Sequence, residues 1–214
     1  MGRKKERLVA KSELIPSWFK LTITDWSVLI FPSLEDDNLG ECDATENQIR
    51  LAEESDEHIL VLEKRNETFF HELVHAVLYE MEHNMTNNET FVQTMGALLY
   101  QFIKSTGLTK LNEFVIPETF SLFAMQWKVL VYTKEEQKKL DNDIPLDFIG
   151  GSRETLGELW YVKQTTEYKD AGVFMSVLVR TILKAFDHPY YKNRQFCAIF
   201  SRLLLQAFKT AVYA

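Results

Sequence analysis

Apolar positions along the chain fall into helical and strand-like patterns. Phe70, Leu73, Val74, Val77, Leu78 and Met81 recur at three- and four-residue steps. They predict a buried amphipathic helix that begins within 56–66 and ends near Glu82. A second helix is predicted from Asn88 to about Lys104, after a short turn at 83–87 and with Asn87 or Asn88 as N-cap. Gly96 and Ala97 in it would let two antiparallel helices approach closely. Upstream, short apolar runs predict strands at 18–24 and 48–52, with a turn around 36–41 between them. Residues 106–119, which contain Gly107 and Pro117, read as a linker. The pattern then begins again: a strand at 127–132, a short helix over 133–140, a Gly150-Gly151 turn, a strand at 158–163, and helices over 167–186 and 190–212.

This second series resembles the first residue by residue. Residues 73–105 align without a gap on 178–210, an offset of 105, with ten identities that include His83/His188, Asn88/Asn193, Phe91/Phe196, Gln101/Gln206 and Lys104/Lys209. Chance supplies about two. Two leucine-rich hairpins would share apolar positions anyway, but His, Asn, Gln and Lys matching at one constant offset favour a duplication. Leu39-Gly40 likewise resembles Ile149-Gly150. The expected fold class is therefore α+β, a tandem duplication of a strand, strand, helix, helix unit. Each unit is small for a core of its own, so the copies are expected to pack as a pseudo-dimer within a monomeric chain.

Composition narrows the function classes. The 214 residues are 46% hydrophobic and 26% charged, which fits a globular protein and not a low-complexity chain. The net charge of −7 is concentrated: twelve carboxylates lie between Glu35 and Glu67, against Arg50, Lys64 and Arg65 alone. That sign is wrong for a nucleic-acid surface, so no nucleic acid is expected as a partner. The acidic stretch reads first as a solvated face. No apolar stretch approaches membrane-spanning length and no signal-like segment follows the basic Arg3-Lys4-Lys5, so no membrane association is expected and the predicted location is cytoplasmic. Met1-Gly2 lacks the Ser or Thr that myristoylation requires, Glu6 standing in its place. Cys42 and Cys197 are isolated and read as reduced thiols.

The chemistry is concentrated in His71-Glu72-Leu73-Val74-His75, an HExxH pattern inside the first long helix. Helical pitch puts His71 and His75 one turn apart on one face, where two imidazoles can chelate one zinc ion. Glu72 is then placed to hold and deprotonate a water that zinc acidifies. A catalytic site needs a third ligand. The metzincin arrangement, with Gly three and His six residues after the second His, is excluded by Leu78 and Met81. A gluzincin-type site takes a Glu from the next helix, and Glu89 is the candidate. A first-turn carboxylate there would also complement the helix dipole, so both roles stand open. Tyr79 and Tyr100 are candidate oxyanion donors. His83 and Asn88, retained in the second series, read as turn and cap residues, and His58 as a surface histidine.

The first half resembles the small gluzincin-like metallopeptidases related to ImmA and IrrE, especially their short phage-encoded relatives. The resemblance is carried by 39–43, 48–51, 70–78 and 89–101. It implies a zincin-like unit that binds zinc through His71, His75 and Glu89, hydrolyses a peptide bond with Glu72 as base, and acts on a protein or peptide substrate, in a host cytoplasm if phage-encoded. The expected organisation is a tail at 1–17, a metallopeptidase unit at 18–105, a linker at 106–122 and a degenerate metal-free unit at 123–214. At the same offset His71, Glu72, His75 and Glu89 meet Ser176, Val177, Arg180 and Arg194. Arginine does not coordinate a cation, so this second unit is expected to bind none. The competing reading is a non-catalytic zinc-binding module that captures a regulatory or host defence protein.

Overall fold

The computed structural model describes residues 14–55, 58–139 and 149–213. The protein is mixed α+β. Its first half runs through β1 (Trp18–Leu21), β2 (Thr24–Phe31), β3 (Gly40–Asp43) and β4 (Gln48–Ala52), then the two-residue strands β5 (Glu54–Ser55) and β6 (His58–Ile59), and then α1 (Leu62–Glu80) and α2 (Glu89–Ser105). The second half comprises β7 (Thr119–Leu122), β8 (Met125–Tyr132), α3 (Lys134–Lys139), β9 (Gly150–Arg153), β10 (Glu158–Val162), α4 (Glu167–Ala185) and α5 (Arg194–Thr210).

The two main sheets have the same plan. The first has order β1-β2-β4-β3 and the second β7-β8-β10-β9. In each, the inner pair is parallel (β2 with β4, β8 with β10) and both outer strands are antiparallel to their neighbours. In each, a ring from the first strand stacks on a Trp of the second: Phe19 on Trp26 at 6.5 Å and Phe120 on Trp127 at 6.0 Å.

Four strands per sheet, where two were expected, is a correction. β2 after Thr24, and β7, fall outside the expected strands, and β3 and β9 at expected turns, where Gly-Glu-Cys-Asp and Gly-Gly-Ser-Arg are short and polar. An edge strand paired on one side need not show apolar alternation. The stretch 106–122 contains more than a connection: Leu111 and Phe114 are buried and β7 lies within it. Leu14 and Ile15, expected in the tail, are buried too, while 1–13 lie outside the described residues, as does the end of the helix expected over 133–140.

One apolar core runs through both halves. Helix α1 packs on β3 and β4, and α4 on β9 and β10, while the second helix of each hairpin reaches across: α2 lies on β7 and α5 on β1. The reach is hydrogen-bonded alike on both sides. Gln206 accepts from the Thr22 N–H as Gln101 does from the Phe123 N–H, and Thr210 accepts from Lys20 N–H as Ser105 does from Ser121 N–H. Buried aromatics fill the seam, with Phe102 of α2 5.2 Å from Phe120 and 5.9 Å from Phe174. No helix among the described residues is long and apolar enough to cross a membrane.

Candidate metal centre

Helix α1 buries Phe69, Phe70, Leu73, Val74, Ala76, Val77 and Leu78 completely. That apolar face fixes the helix rotation, and the rotation sets His71 and His75 at the margin of the core, their side chains 18% and 13% exposed. Their Nε2 atoms stand 3.2 Å apart. The helix stops promptly after Glu80: Met81 caps it, Glu82 takes a positive φ of 50°, and the His83 N–H donates to Leu78 O. A 3-10 turn at Asn84–Asn87 completes the reversal. In it the His83 ring accepts from Met85 N–H, and the Asn88 side chain accepts from Phe91 N–H to start α2.

The reversal delivers Glu89, first residue of α2, to the two histidines. One carboxylate oxygen is 3.4 Å from His71 Nε2 and the other 3.4 Å from His75 Nε2. Close helix packing is required for this. At Gly96 of α2 an added Cβ would lie 2.8 Å from the His71 Cα, so no larger residue fits without moving the ligand-bearing helix.

These separations can be tested against a metal. Tetrahedral zinc with ligand bonds of 2.0–2.1 Å separates neighbouring ligand atoms by about 3.3 Å. The His71–His75 pair and the contact of each imidazole with Glu89 fall at that spacing, Glu89 offering a different oxygen to each, and nitrogens with a carboxylate are donors that zinc accepts, so the residues present fit the ion. Glu72 is set differently. It is buried, and one ligand atom each from His71, Glu72 and His75 fall within 4.8 Å of one another. Burial, helped by the nearby charges of Glu89 and Glu41, pushes its carboxyl up to about 8. Burial and then the neighbouring His75 push the His71 imidazole down, against the opposing pull of Glu89 and Gln93.

Beside His71 and Glu72 opens a cleft of about 150 Å³ lined by Leu39, Gly40, Lys64, Glu67, Thr68 and Gln93. Its roof is the start of β3. Gly40 lies so near α1 that a Cβ would stand 2.5 Å from Thr68 and 2.8 Å from Glu72. His71 Nδ1 is buried without a hydrogen-bond partner. Metal-bound histidines ordinarily donate from that second nitrogen, and a water in the adjoining cleft would supply the acceptor. Cys42 falls outside the group of His71, Glu72 and His75 whose donor atoms converge, and burial, then the charges of Glu72, Asp43 and Glu41, push its thiol far up from its ordinary range.

Neither Tyr79 nor Tyr100 lines this cleft. Tyr79 packs edge-on to Trp26, and Tyr100 stacks on Phe70. The lining residues Lys64, Thr68 and Gln93 were not singled out from the sequence, although helical spacing reaches them: Thr68 and Lys64 lie three and seven residues before His71, and Gln93 one turn after Glu89. His58 is exposed.

In the second half the equivalent hairpin is built alike. Asp187 has a φ of 54°, His188 N–H donates to Leu183 O, the His188 ring accepts from Tyr190 N–H, and Asn193 caps α5 through Phe196 N–H. Where the first half carries imidazoles and a carboxylate, it carries Ser176, Arg180 and Arg194, and Arg180 donates to Tyr191 O at 3.1 Å. Comparison with protein families, with curated proteins and with solved structures finds no match for this chain.

Proposed function

We propose that the protein is a zinc-dependent peptidase of gluzincin-like type that cleaves a peptide bond in a specific protein substrate in the cytoplasm. The observation that carries this reading is the convergence of two imidazole nitrogens, 3.2 Å apart, on a carboxylate whose two oxygens each stand 3.4 Å from one of them. His71, His75 and Glu89 would hold the ion. Bound there, zinc supplies Lewis-acid polarisation of a carbonyl and acidifies water to a pKa near 7. Glu72 is the proton carrier. Its buried carboxylate next to the first histidine takes a proton at Oε from the attacking water and returns it to the leaving amine. That carboxylate is buried under the start of β3, at the border of the cleft.

We also propose that the chain arose by tandem duplication and packs as an intrachain pseudo-dimer, its second half a zincin-like unit without ligands. The shared strand order, the paired stacks on Trp26 and Trp127 and the reciprocal reach of α2 and α5 support this.

The test is metal analysis joined to turnover. About one zinc per chain is expected, with His75→Ala losing it. Glu72→Gln should keep the zinc and lose cleavage of a peptide library. A second zinc, or zinc retained after His75→Ala, would refute the assignment. A full biological effect from the Glu72→Gln protein would favour a non-catalytic capture module.

A further inference from the structure

The two hairpins meet at their turns, and a histidine opens each turn. His83 precedes the 3-10 turn between α1 and α2, and His188 precedes the one at Pro189–Lys192 between α4 and α5. Each ring packs across into the other half. His83 lies 5.1 Å from Tyr190 and 5.0 Å from Phe196, and His188 lies 4.8 Å from Phe91. Tyr190 touches both, its ring 5.0 Å from His188. The pair therefore fills the seam where the halves join.

Each ring is also bonded in one protonation state. His83 Nδ1 accepts from Met85 N–H at 3.2 Å, and His188 Nδ1 accepts from Tyr190 N–H at 3.4 Å. An accepting ring nitrogen carries no proton, which places the hydrogen of each neutral imidazole on Nε2. A proton added at Nδ1 would face a backbone N–H and leave that donor unpaired. Aromatic faces attract a cation, but they do not restore the lost turn bond.

The charged groups around the pair are engaged elsewhere or exposed. Beside His83, Glu80 of α1 accepts from Thr22 and Trp26, and Glu82 is exposed. The turn at Asn84–Asn87 carries no charge, and Glu89 of α2 contacts His71 and His75. Beside His188, Asp187 is exposed, Lys184 of α4 pairs with Glu154, Lys192 lies over Tyr191, and Arg194 begins α5. Arg180 donates to Tyr191 O, and the Cys197 thiol, which burial pushes up to about 11, donates to Tyr190 O. Burial pushes the His83 imidazole down, and burial and then the charge of His83 push His188 down.

We propose that His83 and His188 form an acid-sensitive latch between the two halves: neutral, they pin both turns and close the seam, and doubly protonated, they give up both turn bonds and repel each other across it. The latch needs no metal at His71. Because folding takes both rings below their ordinary 6.5, each contributes fully above pH 6.5 and loses its contribution as pH falls toward the folded value.

The experiment is urea unfolding of the full chain from about pH 8 to about pH 5, with and without EDTA, joined to nitrogen-15 NMR of the imidazoles. His83→Asn with His188→Asn offers a side-chain acceptor to the same N–H groups but does not titrate. With falling pH the unfolding constant of the parent should climb more steeply than that of the double variant, by up to about tenfold per pH unit for each histidine, whether or not EDTA is present. NMR should show both rings as Nε2–H tautomers near pH 8, both midpoints below 6.5, and a His188 midpoint that rises on His83→Asn. If the variants misfold, the tautomers and midpoints of the parent still decide. Equal acid slopes in parent and double variant, Nδ1–H tautomers, midpoints at or above 6.5, or a His188 midpoint indifferent to His83→Asn would overturn the proposal.

Discussion

In the first half, α1 and α2 meet at two imidazoles and a carboxylate 3.2–3.4 Å apart, while in the second, α4 and α5 make the same turn and meet near two arginines. The turns agree down to the positive-φ residue, the capping histidine and the capping asparagine. The same turn and caps thus occur with the imidazole and carboxylate donors and without them. Aromatic contacts and caps are common to both turns, while the groups at their mouths differ.

The largest effect should come from the group with no counterpart. Glu72→Gln is expected to lower peptide turnover by a factor on the order of 10²–10⁴ while zinc content stays unchanged, as read by steady-state kinetics and metal analysis. Turnover at the parent rate would reduce the two halves to equals. Next come the seam residues, where the halves should respond alike. Phe91 packs on His188 at 4.8 Å and Phe196 on His83 at 5.0 Å, each nearly fully buried. Phe91→Ala and Phe196→Ala should each cost about 3–5 kcal/mol in urea unfolding. A large cost from only one of them would break the equivalence.

Smaller changes sharpen the comparison. Asn88→Ala and Asn193→Ala each remove a side-chain acceptor from a helix start and should each cost about 1 kcal/mol. Thermal unfolding of the pair would show whether the two caps weigh equally. The smallest effect is expected at Tyr213, whose hydroxyl oxygen accepts from Leu111 N–H at 2.6 Å and which burial pushes up to about 12 from an ordinary 10. The folded value is raised, so its contribution is complete below pH 10 and is lost as pH climbs toward 12. Tyr213→Phe should flatten that alkaline decline in melting temperature. An unchanged decline would place its cause elsewhere.

Some of this was legible because the residues concerned are local. Helix α1 was readable from its apolar spacing, and the facing of His71 and His75 follows from helical pitch alone. Glu72 as a neighbour of the first histidine follows from adjacency, and the cap Asn88 from its place before an apolar run, whereas the helix expected over 190–212 starts only at Arg194, behind Asn193. The matched offset of 105 was legible because a capping His or Asn leaves a fixed spacing in the chain. The edge strands β3 and β9 were not, because they are short and polar and carry no alternation, although each pairs with the strand that follows it.

Residue order alone thus determined an α+β chain with an HExxH helix and a second hairpin stripped of the same donors, since both rest on periodicities within one element. Tertiary structure decided the rest: that Glu89 arrives 3.4 Å from both imidazoles, that Gly40 closes on Glu72, and that the second helix of each hairpin lies on the other half's sheet. These are distances between elements remote in sequence, set by how one shared core packs and not by any local repeat.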